Sequence, residues 1–491
     1  MSSSNLVQVS FVEEVIVGVT PSLQAFLVVQ DLTYTADAIG EGGNAISITY
    51  TTGGVAGSEV VTVVGSAISV QIASGISTAT QVKAAVDLSV AASALISVAI
   101  SGVGTTAQVS ASLLELQSGI GDLTQARFTN ESLSATPGTT ESKQLRTDRM
   151  SSGQVVTGLT VEGSLNFELA KEDAVDKLMA GAMLNAWDVL APVTVNLTIT
   201  AASKHITRAT GDWSAALVIG DIITLSGFSN AANNTQVQIV EFISPTVIRV
   251  VANGIIVDEA ATANIYTRAD KLTIGSHIKS FSMEKVFTDL TTKALIYKGQ
   301  VVNAMDLKVA YGSIIEGTFG FTGTKYESVS AAVDFISYQK TVIPAATTNS
   351  MNGSIDMPFI NSDVLGTLDE VSFCIQSVSL ALANNYQAQT CIGEAAPKAH
   401  TPGQAAISID MSTYLSDVNW SIIGKKLTQA PFALGFMVKN IDGWYGFYLP
   451  ALQVSFPDPS TGGANQQISL AMKGVAKVGA SGESALVIYR S

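Results

Sequence analysis

The stretch TVEGSLNFEL, residues 160–169, alternates without a slip. A period of two is the signature of an extended strand, because successive strand side chains point to opposite faces. Val161, Leu165, Phe167 and Leu169 therefore share one face, and Thr160, Glu162, Ser164, Asn166 and Glu168 share the other. The apolar face needs a core, and the partly acidic one has to look into water. Further along, IEGTFGF (315–321) repeats the order Glu-Gly-hydroxyl-apolar-x-Phe, which puts Glu316 and Thr318 on an equivalent polar face. Two matched strands point to a repeated architecture.

The repeat extends well beyond that motif. Residues 125–169 (QARFTNESLSATPG…GLTVEGSLNFEL) match 370–415 (EVSFCIQSVSLALANN…AAISIDMSTYL) in rhythm, with Phe128 against Phe373 and Leu165 or Phe167 against Ile409 or Met411. Ser408 and Asp410 then join the water-facing set. Each block leads into a short segment with acids, then a hairpin (279–309 and 432–456), then a Gly-flanked alternating strand (312–323 and 465–474). Two β-sandwiches of one design in tandem account for this order.

Two segments interrupt the pattern. Residues 23–122 hold one basic residue, Lys83, against Asp31, Asp37, Glu41, Glu59, Asp87, Glu115 and Asp122, and include a helix candidate at 78–88 with Thr78 as N-cap. They read as a small α+β unit. Residues 191–267 run as short strands joined by Gly-Asp, Asn-Asn and Ser-Pro turns and read as a β-barrel-like module. The expected organisation is an arm at 1–22, the insert 23–122, a first sandwich from 123–190 and 268–330, the insert 191–267, a linker or interface loop at 331–369, and a second sandwich at 370–491. The clearest helix, 171–184, carries Val175, Leu178, Met179 and Ala182 as a stripe that should pack on a sheet.

Composition narrows the function classes. Charged residues make up 13% of the 491 residues, about half the usual share of roughly 25%, so Ser, Thr, Asn, Gln and Gly must clothe most of the surface. Such a surface suits a protein that buries itself against its own copies. A net charge of −14 argues against holding nucleic acid through its phosphates. The N-terminus has Glu13 and Glu14 beside its apolar run and does not read as a secretory signal, and the most apolar segment, 89–104, is too short to span a bilayer. Cys374 and Cys391 form neither a disulfide framework nor a metal-ligand spacing, which fits a reduced cytosol.

For an enzyme the sequence offers little. GxSxG, HExxH, Walker-type, CxxC and Rossmann glycine motifs are all missing, and His205, His277 and His400 read as scattered surface or turn histidines. Glu162 and Glu168 lie six residues apart on one strand face, roughly 20 Å by strand rise, too far for a glycosidase pair at roughly 5–10 Å. The chain is expected to be no enzyme and to need no cofactor or metal. The cluster KQLRTDRM interleaves Lys143, Arg146 and Arg149 with Asp148 beside Glu141, which suits an ion-paired subunit contact better than a nucleic-acid arm.

The runs VQVSFVEEVIVGVTPS (7–22) and LTQARFTNESLSATPGTTESKQLRTDRMSSGQVVTGLTVEGSLNFEL (123–169) resemble the opening of the major tail tube proteins of long, flexible-tailed, siphovirus-type bacteriophages. The likeness rests on Phe128, Glu131, Ser132 and Leu133, on Glu141 to Arg149, and on Gly158, Val161, Gly163 and Ser164. It implies a mainly β fold in which the inner sheet of each sandwich joins a ring-shaped barrel, with the two inserts as decorations. It further implies stacked rings forming a conduit for genome passage, with Thr160, Glu162, Ser164, Asn166, Glu168, Glu316, Thr318, Ser408 and Asp410 lining the lumen. The resemblance also supplies the partners: the chain itself, and tape-measure, tail terminator and baseplate-type proteins. DNA would pass without specific binding, no membrane is involved, and the protein would reside in the virion tail after assembly in the host cytoplasm. Because two sandwiches share one chain, three copies would close a ring of pseudo-six-fold symmetry. The main competing expectation is a host-recognition, adhesin-type virion protein whose modules bind glycans or receptors; a capsid decoration protein is a third.

Overall fold

The computed structural model describes residues 7–14, 17, 24–117, 119, 123–144, 147–148, 150–151, 153–290, 293–329, 340–341, 350–353, 355–363, 368–371, 374–416, 420–460, 466–480 and 482–491. Alternation of apolar and polar residues dominates these segments, and the fold is accordingly mainly β. The largest unit is built from two halves. Its first half includes β1 (Val7–Glu13), β2 (Leu123–Ala126), β3 (Asn130–Glu131), β4 (Ser134–Glu141), β5 (Gln154–Glu168), β6 (Ser280–Phe287), β7 (Lys293–Ala310), β8 (Glu316–Gly323) and β9 (Lys325–Val329), besides the short strands Asp270–Thr273 and Lys340–Thr341. The second comprises β10 (Ile355–Asp363), β11 (Leu368–Val371), β12 (Ile375–Ala383), β13 (Ala406–Tyr414), β14 (Phe432–Lys439), β15 (Trp444–Ser455), β16 (Ser469–Ala476) and β17 (Val487–Arg490).

The two halves repeat each other pairing for pairing. One sheet runs β2–β1–β6–β7–β9 in the first half and β11–β10–β14–β15–β17 in the second. The facing sheet runs β3–β5–β8–β7 and then β12–β13–β16–β15. Strands β7 and β15 serve both sheets because each bends at a bulge in the same place. Phe281 faces Gln300 and Met283 faces Tyr297 in one hairpin; Phe432 faces Leu452 and Leu434 faces Leu449 in the other. An extra residue on one strand sharpens its twist and re-aims it. The first bulge uses Gly299 at φ +66°, the second Pro450, residue types at home where a ladder is interrupted.

Sequence reading placed 331–369 between the sandwiches as a linker or interface loop. Within that span, β10 pairs with β14 and with β11, the place that β1 takes against β6 and β2. The β10–β11 hairpin therefore corresponds to β1 and β2, between which residues 23–122 intervene.

A single apolar core fills both sandwiches, from Phe11, Val161, Leu165 and Phe167 to Met411, Leu452 and Ile488. Phe167 stacks on Phe319 at 4.7 Å between centroids, and Phe436 on Phe447 at 5.1 Å. The helix Asp173–Ala182 buries Val175, Leu178, Met179 and Ala182, the stripe read from the sequence. Its Gly181 lets Phe281 and Val302 approach to where a Cβ would stand 2.7 Å from the Phe281 ring. A second helix, Trp420–Thr428, follows β13 as the first follows β5.

The inserted segments have cores of their own. Residues 24–117 form a three-stranded and a four-stranded sheet with the helix Ala79–Leu88, whose N-cap is a capping box between Thr78 and Gln81. Residues 193–268 close a six-stranded barrel around Trp213, Ile239 and Tyr266. That barrel sits on the outward face of β14, β15 and β17, where Ile222, Val240, Met437, Trp444, Tyr448 and Tyr489 share a core. Gly220, at φ +95°, lies against the Tyr448 ring, where a Cβ would clash at 2.2 Å. Asp221, 1% exposed, accepts from Lys271 Nζ at 2.8 Å and from Tyr489 Oη at 3.0 Å.

Buried Asp176 ties the halves together. It accepts from Lys171 Nζ at 2.5 Å, Arg490 Nη1 at 2.8 Å and Tyr445 Oη at 2.7 Å, so the first helix, β15 and β17 meet at one carboxylate. Replacing it with alanine leaves two cations and a hydroxyl without their shared anion. Asp176→Ala is expected to lower unfolding stability by about 3–5 kcal/mol, read from the urea midpoint at neutral pH.

Candidate functional site: a continuous polar sheet face

The facing sheets of the two halves are one sheet. Residues Ala304–Ala310 of β7 pair antiparallel with Ser377–Ala383 of β12, so the order β3–β5–β8–β7–β12–β13–β16–β15 runs unbroken across the repeat boundary. Residues of one parity on all these strands enter the core; the others make a single polar face.

Register sorts that face into rows. One row reads Glu168, Glu316, Lys308, Ser379, Asp410, Lys473 and Ser455; the next reads Asn166, Thr318, Asp306, Ala381, Ser408, Val475 and Gln453. Ser164 opens a third, followed by Gly320, Ala304, Ala383 and Ala406. Glu162, Glu316, Ser408 and Asp410 are exposed, while Ser164, Asn166, Glu168 and Thr318 are half-buried. Thr318 Oγ1 donates to Asn166 Oδ1 at 2.9 Å, and the Ser350 hydroxyl donates to Glu168. Thr160 stands apart from the rows. It lines a cavity of about 570 Å³ beneath the two-stranded ribbon Gln387–Gln389/Ala399–Thr401.

Sequence reasoning missed Asp306, Lys308 and Lys473 on this face. The alternation Ala304-x-Asp306-x-Lys308-x-Ala310 carried the signal, but only the register with β8 and β12 shows which parity looks outward. With them the face holds Glu162, Glu168, Asp306, Glu316 and Asp410 against Lys308 and Lys473, a net negative wall with cations set across the register from acids. Burial pushes the Asp306 carboxyl above its usual range, and Lys308 works against that shift.

Beyond the sheet, β4 and the first part of β5 continue as an exposed two-stranded arm. Val155 and Val156 on the arm are 62% and 60% exposed, and Met150 at its tip 69%. Of the cluster expected there, Glu141, Lys143 and Asp148 are exposed, and Glu141 accepts from Ser151 Oγ at 2.7 Å; Arg146 and Arg149 lie outside the described residues. The ribbon between β12 and β13 folds against the arm's base, where the Leu159 N–H donates to Ala395 O at 2.6 Å.

His400, expected at the surface, is buried at 7% exposure with Nε2 3.1 Å from Thr322 Oγ1. Among the described residues no group of three His, Cys, Asp or Glu side chains is placed to hold a metal, and no helix is long and apolar enough to cross a membrane.

A family model described as phage tail tube protein matches residues 102–476, about three quarters of the chain. No curated protein matches it.

Burial lowers the His400 pKa below its ordinary value of 6.5. The unfolded chain takes up that proton near the ordinary value and the folded chain only at lower pH. The stability contribution is therefore full above about pH 6.5 and declines as pH falls below it. The denaturation midpoint should drop between pH 7 and 5, and His400→Gln should remove part of that slope.

Proposed function

Because the chain belongs to the phage tail tube protein family, a structural component of the virion tail, we propose that it polymerises into stacked rings whose inner wall is the continuous polar sheet and whose channel passes the genome. The carrying observation is that both repeats contribute to one sheet with one polar face. A sheet of this kind ends in two open edges, and closing it on further copies removes both.

Strand spacing supports three copies for a conduit. Eight strands per chain at about 4.8 Å give, for three copies, about twenty-four strands and roughly 37 Å between opposite backbones before tilt widens it. Two copies would leave roughly 24 Å, most of it taken by side chains, and six would open a barrel roughly twice as wide as three. Three chains carrying two equivalent sandwiches each make a ring of pseudo-six-fold symmetry.

In this reading Glu162, Glu168, Asp306, Glu316 and Asp410 face the genome. Like charges across a wet channel disfavour contact with phosphates, and Lys308 and Lys473 keep the wall from being uniformly repulsive. The barrel at 191–267 rides on the sheet opposite the polar face and decorates the outside; the unit at 23–122, inserted between β1 and β2 of that outer layer, decorates it as well. The arm with Glu141, Lys143, Arg146, Asp148 and Arg149 serves subunit contacts, and tape-measure, terminator and baseplate-type proteins complete the tail.

Image averages or native mass measurements of assembled rings should give three chains per ring; six full-length chains would overturn the stoichiometry. Reversing Glu162, Glu168 and Glu316 together to lysine should leave tubes intact while lowering infectivity by an order of magnitude or more through slowed ejection. Unchanged ejection would remove these residues from the channel wall.

A further inference from the structure

The contact between the two repeats inside one chain is a template for the contact between chains. The ribbon 384–405 connects β12 to β13, just as the arm connects β3 and β4 to β5. Matching the two sheets through their register places Leu165 on Met411, Thr322 on Val475 and Leu159 on Ala405. On the first repeat the ribbon covers this place, with Ala395 O on the Leu159 N–H and His400 on Thr322.

The same place on the second repeat is bare among the described residues. Val475 stands 62% exposed in a row where Ala381 is the one other apolar member, and Val478, just beyond, is also 62% exposed. The arm that would cover an equivalent site carries Val155 and Val156 unburied. Apolar groups on both pieces are complementary, and neither has a use within one chain.

Building on the ring reading above, we infer that the arm's two strands, 134–141 and 154–160, dock on the second repeat of the neighbouring copy in the same ring, with Val155 over Val475. The occupant is thus a second copy of this chain. Each of the three chain-to-chain joints then reproduces the ribbon-on-arm contact already present within each chain. The inter-chain version substitutes an apolar contact for the His400–Thr322 hydrogen bond. Around the ring the arms all lean one way, because the ribbon leans toward the repeat that precedes it.

Disulfide trapping tests this in the full chain. Cys374 and Cys391 are exposed, so both are first replaced by serine. Val155→Cys and Val475→Cys are then combined, and tubes are assembled, oxidised and run without reductant. A ladder that ends at three chains, with each single-cysteine chain giving none of it, is the expected result. Tubes visible in micrographs without this cross-link would overturn the docking while leaving the ring reading intact; a ladder running past three would overturn the docking within a three-chain ring. Failure to form any rings with the wild-type chain would overturn both. Separately, Val475→Asp should leave monomer melting unchanged and prevent ring closure; normal rings from that variant would count against the contact.

Discussion

The seven-residue ladder between Ala304–Ala310 and Ser377–Ala383 is the constraint on which the rest of the molecule depends. It turns two sandwiches into one sheet, and the seven pairs run without a proline or a register shift between them. Had the two halves met through side chains alone, their polar faces would be free to take any relative angle. A ladder fixes spacing, register and twist together, so charges on β5 and β8 stand in defined rows with charges on β13 and β16. The shared core behind the sheet and the Asp176 cluster then lock the outer layer to the same frame.

Much of this was legible because the period-2 pattern is strong and occurs twice. The alternation in TVEGSLNFEL fixed which residues of β5 enter the core, and Val161, Leu165, Phe167 and Leu169 are all buried. The helix Asp173–Ala182 and its stripe, and the Thr78 N-cap, followed from local rules that hold at short range. Which strand lies beside which is decided over hundreds of residues. Asp306 and Lys308 therefore remained hidden in a hairpin whose second strand changes sheets halfway along. The Phe281 and Phe432 bulges that cause the change leave only Gly299 and Pro450 as traces in the sequence. His400 escaped for a similar reason: its burial comes from Thr322, seventy-eight residues away in sequence.

The two repeats share a frame but have diverged in what they carry. The first bears the segment 23–122 between β1 and β2, where the second has the short β10–β11 connection. The second bears the barrel 193–268 against β14, β15 and β17, fixed by Asp221 and Tyr448. Additions at a hairpin tip or on an outward sheet face leave the ladders untouched, which is why a sheet that must stay continuous can accept them. The polar face has no comparable freedom, since each residue there is set by neighbours on two strands.

The free edges of the sheet differ chemically from its internal joint. Where β7 continues as Ala304–Ala310 to pair with β12, the chain after β15 reads Phe456-Pro457-Asp458-Pro459, and the opposite edge carries Pro137 in β4. Leu159, opposite Pro137, turns its N–H toward Ala395, so the position of the missing Pro137 donor faces away from β5, on the open edge. A strand edge with a full set of donors would pair with any exposed strand it met. Prolines at both ends remove donors at the positions where such pairing would start, while the internal joint, formed within one chain, has no need of that protection. In the ring proposed above, side-chain contacts then supplement strand pairing at the closing joint. An exposed arm and a valine set in a polar wall supply side chains of that kind.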